Sequence, residues 1–199
     1  MASSVVLITG ALTGIGRATA FAFARIGAQL VVSGRHDETG RSIAGELREA
    51  GAEAEFVRAD VRVEDEVRVL VDRAVARFGR LDIAVKNAGT EGRPGTLTEQ
   101  GADDYRAIFD TNVLGTMLSL KHELRVMRPQ GSGAIVNLSS IVGHEELPGA
   151  PLYVGIDQGG GAGGGGVWRA GHRGRPGTDR NRHARPLCRQ RRRQGRLGR

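Results

Sequence analysis

A doubly wound α/β fold, a parallel sheet with helices on both faces, is predicted by three observations. The first is Thr9-Gly10-Ala11-Leu12-Thr13-Gly14-Ile15-Gly16, a glycine-rich turn between an apolar run and a helical pattern. The second is the alternation of short apolar runs with amphipathic stretches as far as residue 138, as expected of strands joined by crossover helices. The third is the placing of Gly51 and Gly79 directly after helical patterns, where a left-handed cap ends a helix.

Ser4 to Ile8 reads as a buried strand, β-branched and almost fully apolar. Ile15, Ala18, Ala22 and Ile26 then recur at helical spacing and mark an apolar stripe. Gln29 to Ser33 is a second strand, Glu38 to Ala50 a helix, and Glu53 to Arg58 a third strand. Glu64 to Phe78 is a helix with Val67, Leu70, Val71, Ala74 and Phe78 on one face. Leu81 to Lys86 is a fourth strand. Asp103 to Arg128 is helical with a break near Asn112 and an end before Pro129, and Ala134 to Leu138 is the fifth strand. Crossovers of this kind are right-handed and make the pairing parallel.

The three glycines of the first turn meet three needs: a tight turn, close approach of backbone to a pyrophosphate, and helix–strand packing. The N–H groups at the helix start point at such an anion, and the helix dipole favours it. A purely structural glycine turn is the alternative, but a turn held between strand and helix points to dinucleotide binding.

The motif is Thr-Gly-x-x-x-Gly-Ile-Gly, and it resembles that of the short-chain dehydrogenase/reductase family. The resemblance runs through residue 153 and continues at Asp60-Val61, Asn87-Ala88-Gly89, Asn112 in Thr-Asn-Val-Leu-Gly-Thr, Ile135 to Ser140, and Tyr153. It implies a nicotinamide cofactor and hydride exchange with a small alcohol or carbonyl substrate. Gly10, Gly14, Ile15 and Gly16 would line the pyrophosphate. Asp60 and Val61 would hold the adenine edge, unless Asp60 is a strand-end cap. Asn87, Ala88 and Gly89 would pack on the adenosine side. Lys86 stands where the family has Asn, so the hydrogen bonds there are expected to differ.

Ser140 precedes Tyr153 by the family's separation. It would hydrogen-bond the substrate oxygen while Tyr153 exchanges a proton and Asn112 anchors a water in the relay. A free phenol has a pKa of about 10. The family lowers it with a Lys four residues after the Tyr, where this chain has Asp157. A carboxylate raises a neighbouring phenol's pKa. Low activity is therefore expected.

At the end of the second strand, Ser33-Gly34-Arg35-His36 presents no carboxylate to a ribose 2′-hydroxyl. A guanidinium suits a 2′-phosphate, so Arg35 points to NADP, with NAD as the alternative. Arg35 could instead pair with Asp37 or Glu38 as a solvated loop charge.

From Val154 the composition changes. Residues 154–199 hold thirteen glycines and twelve arginines against two acids, a net +10. The whole chain's +7 then leaves −3 on residues 1–153. We therefore expect a dinucleotide-binding domain at 1–153 and an aberrant, disordered tail at 154–199 that leaves the sheet incomplete. Shifting the back-translated frame by one base permits x-Ala-Ser-Thr-Lys-Ala-Ala-Val over Val154 to Gly161, a family-like stretch. A frameshift near codon 154 is the reading drawn from this. A natural basic tail and a divergent ending remain alternatives.

Arg189, Arg191, Arg192 and Arg193 could meet phosphate backbones, but only Trp168 offers a stacking surface, so no nucleic-acid partner is expected. The second functional class is a catalytically silent nucleotide-binding protein whose basic tail associates with nucleic acid. His172 and His183 lack partners at metal-ligand spacing, and no metal site is expected. No apolar run reaches about 18 residues and no signal peptide is legible. Cys188 is the only cysteine, so a cytoplasmic protein without membrane association is expected. The family's homo-oligomer packs through a helix absent from this pattern, so that assembly is not expected.

Overall fold

The computed structural model describes residues 3–140 and the backbone of 167–170. Five strands pair in parallel: β1 (Val5–Thr9), β2 (Gln29–Gly34), β3 (Ala54–Arg58), β4 (Ile83–Lys86) and β5 (Gly133–Asn137). Their order is β3-β2-β1-β4-β5, so the winding reverses between β1 and β4. In sheets of this type ligands bind outside the carboxyl ends at such a switch point. β1 is central and buried along its whole length, which explains its unbroken apolar run.

Helices α1 (Gly14–Arg25) and α2 (Asp37–Glu49) cover one face, and α3 (Glu64–Phe78) and α5 (Gly115–Gln130) the other. On the first side Ala20, Ala24, Ile43 and Leu47 meet Val6, Ile8, Leu30, Val32 and Val85. On the second, Leu70, Val71, Ala74 and Met127 meet Leu7, Val31, Ala84 and Ile135. The face predicted for α3 is the one it buries, with Phe78 partly covered. Gly79 ends α3 at φ 80°.

The predicted stripe of α1 is corrected. Ile15 and Ile26 are 66% and 77% exposed, and Ala18 and Ala22 also face outward. The buried face is Gly16, Ala20 and Ala24. Small residues at i, i+4 and i+8 let the helix lie close to the sheet, and closeness outweighs side-chain size here. The long helical segment does break at Asn112. α4 (Ala102–Phe109) passes through a π-helical turn at Asp110–Leu114 into α5, and such turns are frequent at functional positions. α5 runs past Pro129, which sits in its last turn, and ends at Gly131 with φ 71°. Pro129 gives up one i→i−4 bond there, and the helix continues only one residue further, to Gln130.

A sixth strand, β6 (Val167–Ala170), was not legible in the sequence. It pairs antiparallel with β5, with Ile135 opposite Trp168. Four residues are too few for a periodic signal, and ladder bonds depend on backbone rather than pattern. The expected disordered tail and frame change otherwise fall outside the described residues, as do Tyr153 and Asp157. Among the described residues no helix is long and apolar enough to cross a membrane.

Candidate functional site

The first turn is shaped by exclusion. Gly10 has φ 64°, and a Cβ there would stand 2.8 Å from Ala88 Cα. A Cβ on Gly16 would overlap Gly10 O and Asn87 Nδ2. Gly14 has φ 52° but open space where a side chain would go. The turn is therefore closed against the protein and open on its outer side. Thr13 makes no side-chain cap to α1, leaving the first-turn N–H groups to an incoming anion. Ile15 is exposed beside them.

The neighbouring loop holds this turn in place. Asn87 and Ala88 donate their backbone N–H groups to Thr9 Oγ1 at 3.2 and 3.3 Å. Asn87 Nδ2 donates to Gly10 O at 2.8 Å and Thr9 O at 3.3 Å. Gly89 and Thr90 continue towards the π-helical turn. There Asn112 accepts from Thr90 N–H through Oδ1 at 2.9 Å and donates through Nδ2 to Thr90 O at 2.8 Å. One donor and one acceptor site of the Asn112 carboxamide are committed to this clamp. Sequence reasoning gave Asn112 a water to hold and missed the clamp.

Asp60 and Val61 follow β3. Val61 packs with Val67 and Leu118, and Gly115 at the start of α5 leaves it room. Asp60 accepts from Arg62 Nε at 3.0 Å and from its second guanidinium nitrogen at 2.6 Å. That hydrogen bonding to Arg62 holds the Asp60 carboxyl below the usual carboxylate range, against the opposing effect of burial; the charge of Arg35 acts in the same direction as Arg62. A depressed carboxyl stabilises the fold above its ordinary value of about 4, and the effect fades as pH falls through the depressed value. Asp60→Asn is expected to cost roughly 1 kcal/mol at neutral pH, after discounting for screening around the half-exposed Arg62. Urea unfolding at several pH values checks this, with the gap between the two proteins closing as pH falls below the ordinary carboxylate range and through the depressed value.

Arg35 is exposed just beyond β2 and pairs with no carboxylate among the described residues. Asp37, its expected competitor, instead lies 3.7 Å from Arg41. Ser140 follows β5 by three residues, and Leu138 N–H donates to Lys86 O at 3.0 Å. Ser140 and the Asn87–Gly89 loop thus leave the carboxyl ends of adjacent strands. Tyr153 lies outside the described residues.

Lys86 differs as its sequence context suggested, and in a direction the sequence did not show. Its amine reaches Glu123 Oε2 at 3.1 Å, with side chains only 4% and 0% exposed. Opposite charges at sheet-facing positions of a strand and a helix were the available signal.

A glycine turn at the switch point, a clamped second loop and polar groups at the carboxyl ends of the strands form the kind of crevice in which open α/β sheets bind ligands. The family profile of short chain dehydrogenases matches residues 4–155, and the chain belongs to that family. It is 39% identical over 150 residues to a 3beta-hydroxysteroid dehydrogenase of Mediterraneibacter gnavus, covering 75% of this chain and 54% of that protein. It is 45% identical over 142 residues to a cis-4-hydroxycyclohexanecarboxylate dehydrogenase of Sinomonas cyclohexanicum, covering 71% and 57%. The chain spans about half the length of the curated relatives it matches.

Among solved structures, an actinorhodin polyketide ketoreductase variant with NADPH superposes with a TM-score of 0.75 at 34% identity. It covers 79% of this chain and 60% of its own. A Burkholderia phymatum short chain dehydrogenase/reductase in complex with NAD gives 0.75 at 33%, covering 78% and 56%.

Proposed function

We propose that the chain binds a nicotinamide dinucleotide across the carboxyl ends of β1, β2 and β4, and that its fold serves hydride exchange with a small alcohol or carbonyl compound. The observation that carries this reading is the turn closed inward at Gly10 and Gly16 and open outward at Gly14. Such a cradle fits a pyrophosphate at the start of α1. Two solved relatives hold NADPH and NAD, in keeping with either cofactor. When bound, the nicotinamide supplies the site that takes or gives the hydride.

The chain's own residues divide the remaining work. Gly10, Gly14, Ile15 and Gly16 receive the pyrophosphate. Asp60 and Val61 border the adenine, and Asn87, Ala88 and Gly89 bound the adenosine side. Ser140 holds the substrate oxygen and Tyr153 passes a proton to or from it. Clamped to Thr90 through its carboxamide, Asn112 anchors a water in the proton relay. Asp157, four residues after Tyr153 in sequence, brings no cation to its phenol, so turnover is impaired. That residue favours the second reading, a chain that binds nucleotide without catalysing.

Arg35 directs the preference to NADP(H), because its guanidinium is exposed and forms no close ion pair among the described residues, its charge reaching Asp60 only at longer range. Titration of the full chain with NADPH and NADH, followed by nucleotide fluorescence, tests this. NADPH is expected to bind at least about tenfold tighter, and Arg35→Ala to erase the difference with little loss of stability. Tighter binding of NADH would remove Arg35 from the site. Absence of binding by either nucleotide would end the proposal.

A further inference from the structure

Two buried charges sit directly behind the Asn87–Thr90 loop. Lys86 is the last residue of β4, and the pleat puts its side chain on the same face as Ala84, towards α5. There it meets Glu123 at 3.1 Å. In register it lies between Thr9 on β1 and Asn137 on β5. Glu123 Oε1 and Asn137 Oδ1 are buried without a hydrogen-bond partner among the described residues.

This is a poor way to stabilise a core. Burial pushes the Glu123 carboxyl up and the Lys86 amine down, each against the pull of the other. Well-packed apolar side chains of similar volume at such a pair are often neutral or stabilising. What an ion pair adds is position. A charge-assisted bond in a low dielectric has a narrow distance and direction, whereas apolar surfaces slide over one another.

The position matters because the same helical unit grips the strand end twice. Asn112, in the π-helical turn that opens α5, clamps Thr90. Glu123, eleven residues on and about 16 Å along the axis, holds Lys86. Strand and helix run in opposite directions, so Lys86 to Thr90 is pinned at both ends. An extended stretch of that length spans about 13–14 Å, which the two side chains bridge. Between the pins, Asn87 and Ala88 set the height of the glycine turn through Thr9 and Gly10.

We propose that Lys86 and Glu123 are positioning residues for the cofactor site, an internal pin that fixes the Asn87–Thr90 loop against α5 and thereby the glycine turn it supports. The cofactor part of this inference rests on the proposed nucleotide binding; the loop part does not.

The test uses the full chain carrying Lys86→Met together with Glu123→Leu, with unfolding, amide exchange and NADPH titration as readouts. The unfolding midpoint is expected to hold or rise. Amide exchange at Ala88 and Thr90 is expected to rise about tenfold while that of Val6 to Ile8 stays unchanged. NADPH binding is expected to weaken about tenfold. Unchanged exchange at Ala88 and Thr90 overturns the pin, whatever the binding result. If loop exchange rises while NADPH affinity does not change, the link to the site is overturned. If the starting protein binds neither NADPH nor NADH, the proposed function fails and the exchange result alone decides the pin. Should the double variant fail to fold, Glu123→Gln decides: a threefold or greater rise at Ala88 and Thr90, on the order expected for one weakened bond, supports the pin, and no rise overturns it.

Discussion

Gly16→Ala is expected to lower nucleotide affinity roughly a hundredfold, equivalent to about 2.7 kcal/mol. It is also expected to destabilise the fold by about 1–3 kcal/mol through overpacking. The added methyl would overlap Gly10 O and Asn87 Nδ2. Neither can retreat cheaply. Gly10 has φ 64° and lies so close to Ala88 that a Cβ on it would stand 2.8 Å from Ala88 Cα, while Asn87 is held by two carbonyls. Relief requires the turn and the second loop to separate, which dismantles the cradle. Gly14→Ala is the control. It meets no atom within 4 Å but keeps φ 52°, so it costs the fold only about 1–2 kcal/mol while placing a methyl on the open side. Thermal unfolding and NADPH titration of both variants check the pair. Equal binding by Gly16→Ala and the starting protein would show that the ligand does not use this turn.

The second large effect concerns turnover. On the proposed reading, the chain as it stands oxidises an alcohol at least about a thousandfold more slowly than an intact relative, because a phenol with a pKa of about 10 is ionised about one part in a thousand at neutral pH and only the phenolate can take up the alcohol's proton. Asp157 replaces the cation that would favour the phenolate, and it offers no amine to the ribose. Restoring the reading frame after codon 153 is expected to recover activity. Asp157→Lys alone is not, since the glycine run from Gly159 to Gly166 still follows. Stopped-flow reduction of NADP with a panel of secondary alcohols reads both. An ordinary rate from the unaltered chain, on the order of 1–1000 per second, contradicts the reading.

β1, β2 and β4 were legible as largely buried runs, β3 and β5 as short, partly buried runs with strand-favouring residues beside turn signals, and α3 because large apolar residues repeat on one side. The inward face of α1 was misread for the converse reason. Gly16, Ala20 and Ala24 bury little area each, and the more conspicuous Ile15 and Ile26 point outward. β6 was too short to register as a pattern. Within the site, the glycine turn was visible from spacing alone. The Asn112 clamp on Thr90 and the Lys86–Glu123 pair join residues 22 and 37 apart, so only the fold reveals them. Arg62, which claims Asp60, lies only two residues on, but nothing in the sequence pattern sets it apart from other charges near a strand end.

Amide exchange of the full chain with and without saturating NADPH tests the central claim most directly, since it locates the ligand without requiring turnover. The account predicts slowed exchange at Ala11 to Gly16 at the start of α1 and at Asn87 to Thr90, with smaller changes after β2 and β3 near Arg35 and Val61. Binding that protects none of these segments, or protection confined to the opposite, amino-terminal edge of the sheet, would contradict it.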